Sequence, residues 1–167
     1  AWVFPGQGSQ KSGMADSLIE LPGSKDRFEL ASELLGRDLW KICSGEVLMN
    51  EEICDLNDTR NTQPALFVVE SLLVDDLKRQ GRKAEMVAGH SLGEIVSLYS
   101  AEVLDAETAL VLLKKRSELM ASAGGGAMIA VLGFDRSELD DLIRKTDGAG
   151  IANDNSESQV VLSGSPE

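Results

Sequence analysis

The sequence predicts an α/β fold in two parts of unequal size. Over residues 1–123, two short apolar runs, at 2–4 and 85–89, alternate with long helical patterns, and each run ends in a glycine-containing turn. After three glycines at 124–126 the pattern changes to strand, helix, strand and strand over residues 127–167. We therefore expect a larger helix-rich subdomain and a smaller α+β subdomain, joined by a flexible glycine segment.

The helices of the larger part follow from their apolar spacing and from their end signals. Pro64 is placed at the first position of the longest helix, because proline is favoured there, and the helix is expected to end near Gln80, before Gly81. Its apolar positions nearly encircle it, which predicts burial. The other helical patterns cover residues 28–35 before Gly36, 38–43, 46–56, 92–101 and 105–121 with Asp105 as the cap.

The smaller part is predicted to contain strands at 127–132, 151–153 and 159–162, with a helix that ends at Lys145. Asp135 and Glu138 resemble a capping box at the start of that helix. Two strands in the larger part cannot form a stable sheet beneath about five helices. Ala1 directly precedes a strand, and residues 165–167 (Ser-Pro-Glu) resemble the start of a helix. We therefore expect a chain cut at both ends.

Composition excludes several classes of function. The 167 residues carry 28 acidic and 16 basic side chains, a formal net charge of −12, and only 4% aromatics, which disfavours nucleic-acid binding. No apolar run approaches the roughly 20 residues of a membrane helix, and no signal peptide is visible. Cys43 and Cys54 form neither a metal motif nor a disulfide framework. We expect a reducing compartment, namely the cytoplasm, or the plastid stroma of a photosynthetic eukaryote.

The motif with the clearest chemistry is Gly-His-Ser-Leu-Gly at residues 89–93, which matches G-x-S-x-G between an apolar strand and a helix. A serine on such a turn projects outward, while small residues two positions before and after let neighbouring backbone pack closely. The helix N-terminus supplies free N–H groups where an oxyanion would form. We therefore predict that Ser91 is a nucleophile; a tight turn that merely favours glycine and serine is the alternative.

A serine nucleophile needs a base, and the sequence does not provide an evident one. His90 is the single histidine, and its side chain should diverge from that of its neighbour Ser91 at this turn, so a structural role is expected for it. An α/β-hydrolase places its histidine after the serine, and no histidine follows Ser91 here. Either the base lies beyond residue 167, or the chain is a catalytically dead enzyme.

Five motifs in a fixed order give the sequence a specific family resemblance. Together they resemble malonyl-CoA:acyl carrier protein transacylase, the bacterial-type acyltransferase of fatty-acid synthesis. The motifs are V-F-P-G-Q-G-S-Q at 3–10, T-Q-P-A at 62–65, G-H-S-L-G-E at 89–94, the arginine at 116, and N-D-N-S-x-x-Q-V-V-L-S-G at 153–164. The resemblance covers this whole chain but only the N-terminal part of the longer family members. It implies a hydrolase-like large subdomain with a parallel sheet and an inserted ferredoxin-like small subdomain, both incomplete here.

The resemblance also implies roles for individual residues. Ser91 would take the acyl group from coenzyme A, and the backbone N–H groups of Gln7 and Leu92 would form the oxyanion hole. Arg116 would bind the free carboxylate of the malonyl group, since a guanidinium meets a carboxylate through two parallel hydrogen bonds. Weaker substrate-binding matches are Gln63, Asn153 and Asn155. The family's catalytic histidine falls outside these 167 residues, so this chain alone is expected to be inactive or nearly so.

The function implied is transfer of a malonyl group from coenzyme A to the phosphopantetheine thiol of acyl carrier protein. No metal or resident cofactor is expected, because the coenzyme A thioester is the substrate and the phosphopantetheine belongs to the partner. Carrier proteins are typically acidic, so we hypothesise a basic docking patch that includes Arg79 and Arg82. The alternatives are a non-catalytic fragment or pseudoenzyme that at most binds acyl chains or partners, and an α/β-type serine esterase or thioesterase.

Overall fold

The computed structural model describes residues 1–46 and 54–165, and its chain divides into two compact units, Ala1–Ser122 and Ala123–Glu167. In the first unit, strands β1 (Trp2–Phe4) and β2 (Val87–Gly89) pair in parallel, with Trp2 opposite Val87 and Phe4 opposite Gly89. The loops that follow both strands therefore leave the same edge of the sheet. The α-helices of this unit are α1 (Ser24–Leu35), α2 (Leu39–Ser44), α3 (Thr59–Arg79), α4 (Leu92–Ser100) and α5 (Ala106–Ser122), with a 3-10 turn at Asp16–Leu18.

Helix α3 lies at the centre of the first unit. Every side chain from Asn61 to Leu72 is buried, which confirms the burial predicted from its apolar positions. Its predicted start is wrong, because Asp58 caps the helix by accepting a hydrogen bond from the Arg60 N–H at 2.9 Å. Pro64 therefore lies inside the helix, where it has no N–H to donate to the Arg60 carbonyl. Arg37 Nη2 donates to that carbonyl instead, at 2.7 Å, so the interior proline is tolerated.

The second unit is a three-stranded antiparallel sheet with one helix, α6 (Arg136–Lys145). Its strands β3 (Ala127–Leu132), β4 (Gly150–Ser156) and β5 (Gln159–Gly164) have the spatial order β3-β5-β4. Asp135 caps α6 by accepting from the Glu138 N–H at 3.0 Å. β4 is longer than predicted and contains two register irregularities against β5. The helix predicted over 46–56 falls largely on residues outside those that the structure describes.

No helix among residues 1–46 and 54–165 is long and apolar enough to cross a membrane. The first unit does contain a buried carboxyl group, that of Glu70 on α3, which is 7% exposed. Neither of its oxygens has a hydrogen-bond partner within the described ranges. Glu70 faces a largely apolar cavity of about 490 Å³ between α3 and residues 1–5. Burial raises the pKa of Glu70 to about 8, because the charged form loses its hydration there.

This raised pKa predicts a pH-dependent stability. The folded chain keeps Glu70 protonated where the unfolded chain has ionised it, so the stabilising contribution is complete below about pH 4.5 and is lost as the pH rises to about 8. We expect the free energy of unfolding to fall by on the order of 2–4 kcal/mol across that range. Urea titrations from pH 5 to pH 9 measure it. Glu70→Gln should remove most of the fall, whereas the exposed Glu33→Gln should retain it; a parallel fall in both variants would contradict the assignment.

Candidate active site

Ser91 occupies a strained turn between β2 and α4. Its backbone has φ 55° and ψ −104°, a conformation that residues other than glycine rarely adopt. The flanking glycines are required by close packing. A Cβ added at Gly93 would lie 2.2 Å from the Phe4 carbonyl oxygen, and one at Gly89 would lie 1.9 Å from the Gly93 carbonyl carbon. The chain therefore holds Ser91 in the geometry of a nucleophile elbow.

The loop after β1 lies directly against this elbow. The His90 N–H donates to the Phe4 carbonyl at 3.0 Å, and the Gly93 N–H donates to the His90 carbonyl at 2.9 Å. A Cβ at Gly6 would be 2.5 Å from the His90 carbonyl oxygen, so only glycine allows this approach. Gln7 follows immediately. Leu92 is the first residue of α4, and its N–H is among the amides at a helix N-terminus that have no acceptor within the helix.

A guanidinium group adjoins Ser91, the predicted nucleophile. Arg116 on α5 donates through Nη2 to Ser91 Oγ at 2.9 Å and through Nη1 to Gln63 Oε1 at 2.5 Å. Gln63 on α3 is fully buried, while Arg116 and Ser91 are half-buried. The packing of α3, α4 and α5 against one another thus brings together three of the residues singled out from the sequence. A fixed cation one hydrogen bond from the serine oxygen can bind a substrate anion beside the reacting carbonyl.

The hydrogen bonds of Gln63 extend to Thr59, a residue that sequence reasoning missed. Gln63 Nε2 donates to Thr59 Oγ1 at 2.8 Å, and the Thr59 hydroxyl donates to Gln7 Oε1 at 2.9 Å. One network therefore runs from Gln7 through Thr59, Gln63 and Arg116 to Ser91. Thr59 and Gln63 are four residues apart, so their side chains share one face of a helix that begins at Thr59. A correct prediction of this helix start would therefore have indicated that Thr59 contacts Gln63.

The sequence model of the acyl transferase domain matches residues 1–167. The chain belongs to the acyl transferase domain family. It is 45% identical over 164 residues to malonyl CoA-acyl carrier protein transacylase of Synechocystis sp., covering 98% of this chain and 54% of that protein. The crystal structure of the Synechocystis malonyl-CoA:ACP transacylase superposes with a TM-score of 0.88 at 44% identity, covering 98% of this chain and 54% of that one.

A second solved structure is described as a type II PKS acyl-carrier protein in complex with its malonyl-transacylase. It has a TM-score of 0.84 at 37% identity and covers 99% of this chain and 54% of that one. The acyltransferase chain thus spans about half the length of these relatives. The motif-based resemblance and the α/β fold class are confirmed by these comparisons.

Two of the predicted acyltransferase site residues lie in the second unit, on β4. Asn153 is opposite Val161 of β5, and Asn155 Nδ2 donates to Gln159 Oε1 at 3.5 Å. Asn153 therefore belongs to the β4–β5 ladder, whereas Asn155 lies at the register irregularity between Asp154 and Ser156. Their role toward a substrate stays a prediction.

The basic patch hypothesised for docking, which includes Arg79 and Arg82, does not lie at the end of the β1–β2 sheet that carries Ser91. Arg79 and Arg82 precede β2, whereas Ser91 follows it, so these arginines and Ser91 lie at opposite ends of this strand. Arg79 also donates to the Pro22 carbonyl at 3.1 Å and pairs with Asp76. This placement gives no support to the docking hypothesis.

Proposed function

We propose that this chain supplies the nucleophile and the carboxylate site of an enzyme that transfers malonyl groups from coenzyme A to acyl carrier protein. The observation that supports this most directly is the position of Arg116, whose guanidinium donates to Ser91 Oγ at 2.9 Å. In a malonyl thioester one methylene separates the thioester carbonyl from the free carboxylate. A substrate whose carbonyl reaches Ser91 therefore brings its carboxylate within range of Arg116.

The proposed reaction proceeds through a malonyl-serine ester. Ser91 Oγ attacks the thioester carbon, and the backbone N–H groups of Gln7 and Leu92 stabilise the tetrahedral oxyanion. The carbon–sulfur bond breaks and coenzyme A leaves as its thiol. The thiol of the carrier's phosphopantetheine then attacks the ester, which regenerates Ser91. The general base for the Ser91 proton is the family's histidine, which falls outside these 167 residues.

The partners and substrates follow from the same proposal. Malonyl-CoA is the donor and an acyl carrier protein is the acceptor, as the names of the related proteins suggest. The proposal includes no metal and no resident cofactor. The product is the malonyl-carrier used for chain elongation in fatty-acid synthesis. The alternative is the corresponding step of polyketide synthesis, because one of the similar solved structures is a polyketide carrier-protein complex.

Intact-protein mass spectrometry after incubation with malonyl-CoA tests this proposal. A malonyl adduct that maps to Ser91, and that carrier protein removes, supports the transacylase. Release of free malonate without an adduct would favour a hydrolase. No adduct on residues 1–167, but one on a longer chain that includes the family histidine, would support an active enzyme of which this chain is a part. No adduct on either chain would support a pseudoenzyme.

In a longer chain that includes the family's histidine, Arg116→Ala is expected to remove the preference for malonyl over acetyl thioesters. In the parent chain an acetyl group leaves the guanidinium without its carboxylate partner, which disfavours that substrate. We expect the malonyl-to-acetyl ratio of Ser91 acylation rates to fall by about 10- to 100-fold, equivalent to about 1.4–2.8 kcal/mol. Competition between the two thioesters, read by mass, measures the ratio. The exposed neighbour Lys115→Ala serves as the control, and an unchanged ratio in Arg116→Ala would remove this residue from the site.

A further inference from the structure

The Thr59 hydroxyl lies between two glutamine side chains of the site. Thr59 is the first residue of α3 and is half-buried. Its oxygen accepts from Gln63 Nε2 at 2.8 Å, and its proton is donated to Gln7 Oε1 at 2.9 Å. A threonine hydroxyl has a single proton, and an amide nitrogen can only donate. The direction of both hydrogen bonds is therefore fixed by the chemistry of the groups.

The orientation of the Gln63 amide depends on this arrangement. Arginine has five N–H donors and no acceptor, so the Gln63 oxygen must be the atom that faces Arg116. The amide nitrogen then requires an acceptor on its other side. It has Thr59 Oγ1 at 2.8 Å and Met120 Sδ at 3.2 Å, and a thioether sulfur is a weak acceptor. Because Gln63 is fully buried, its amide nitrogen needs a partner within the protein, and the hydroxyl oxygen is the stronger of these two acceptors.

The orientation of Gln63 in turn restrains the guanidinium. Arg116 Nη1 is held by Gln63 Oε1, which leaves Nη2 directed at Ser91 Oγ. If the amide rotated, its nitrogen would face the guanidinium, and two donors would oppose each other. Arg116 would then lose its partner on α3 and sample other rotamers, at a cost to any anion bound beside Ser91.

We propose that Thr59 is a positioning residue for carboxylate recognition: its hydroxyl orients Gln63, which holds Arg116 beside Ser91. The inference rests on the proposed function, since it assigns a role in binding the malonyl carboxylate. The bond to Gln7 also connects the carboxylate site to the loop that carries the proposed oxyanion donor. Thr59 acts through other residues and does not itself contact the substrate.

Isothermal titration of the 167-residue chain with malonyl-CoA and with acetyl-CoA tests the inference. Thr59→Val keeps the shape of the side chain but removes the hydroxyl, whereas Thr59→Ser keeps the hydroxyl. We expect Thr59→Val to weaken malonyl-CoA binding by about 5- to 50-fold, with acetyl-CoA binding unchanged within about twofold. Thr59→Ser should bind both ligands within about threefold of the parent chain. If Thr59 had a merely structural role, Thr59→Val would weaken the binding of malonyl-CoA and acetyl-CoA alike, and Thr59→Ser would not restore it.

A double-mutant cycle with Gln63→Met identifies the route of the effect. If Thr59 acts through Gln63, the Thr59→Val and Gln63→Met losses are non-additive, and the double variant is about as weak as Gln63→Met alone. Additive losses would overturn the inference. Should Thr59→Val melt well below the parent chain, Thr59→Ala replaces it in the same cycle.

The failure of this inference is distinguishable from the failure of the proposed function. A parent chain that prefers malonyl-CoA, an Arg116→Ala variant that does not, and a Thr59→Val variant that still does would overturn the role of Thr59 alone. A parent chain with no preference, unchanged by Arg116→Ala, would overturn the carboxylate site itself, and the role of Thr59 with it.

Discussion

In a longer chain that includes the family's histidine, replacing Ser91 by alanine or by glycine is expected to abolish the malonyl ester completely, with the glycine variant about 1 kcal/mol more stable than the alanine variant. Both changes remove the proposed nucleophilic oxygen and the hydrogen bond that it accepts from Arg116. They differ in the backbone, because φ 55° strains alanine but suits glycine. The strain of about 1–3 kcal/mol is partly offset by the greater entropy of glycine in the unfolded chain.

Mass spectrometry and urea unfolding of the two variants measure these effects together. Ser97→Ala, which removes a half-buried hydroxyl bonded to the Gly93 carbonyl at 3.0 Å, is the matched control and should keep the ester. An ester that persists in Ser91→Ala would assign the nucleophile elsewhere. A glycine variant less stable than the alanine variant would show that the turn is not strained.

Gly93→Ala is expected to be among the most damaging single substitutions in the first unit. The new Cβ would lie 2.2 Å from the Phe4 carbonyl oxygen and 2.8 Å from the Pro5 carbonyl oxygen, and both are backbone atoms that cannot rotate away. The elbow and the loop after β1 must separate. We expect a loss of about 3 kcal/mol or more in the free energy of unfolding. Ester formation should fall by about 100-fold, since a shift near 1 Å misplaces the reacting groups.

Gly150→Ala provides the matched control for this prediction. Gly150 lies in β4, its backbone is outside the left-handed region, and a Cβ added there meets nothing within 4 Å. Its substitution should change the free energy of unfolding by less than about 1 kcal/mol. Equal stability of Gly93→Ala and Gly150→Ala would contradict the close approach of α4 to β1.

The positions of most elements were predictable because the local signals agreed with one another. β1, β2 and β3 follow from short apolar runs, and Asp105 and Asp135 cap their helices as predicted, through bonds to Thr108 N and Glu138 N. Pro64 misled the prediction because proline is favoured at a helix start. At its interior position, Arg37, 27 positions earlier in the chain, donates to the carbonyl that Pro64 leaves free. A contact of that kind cannot be read from local sequence.

The site was predictable where a residue carries its own chemistry. Its turn marks Ser91, and the family resemblance marks Arg116 and Gln63. In the structure Arg116 donates hydrogen bonds to both of the other two. Thr59 has no such mark, since its importance depends on which glutamine atoms face it. The length of β4 was underestimated for a related reason. Its Asn-Asp-Asn segment has low strand propensity, and pairing with β5 overrides that preference.

The parallel pairing of β1 with β2 has a consequence for how the chain folds. Each strand has three residues, and about 85 positions separate the paired residues, so the ladder closes a long loop for few hydrogen bonds. Contacts of this kind form slowly, after local helices have formed. The loop after β1 reaches the turn that carries Ser91 only when this ladder closes. Until then, every helix of the first unit can be formed while the loop after β1 and the turn at Ser91 are still apart.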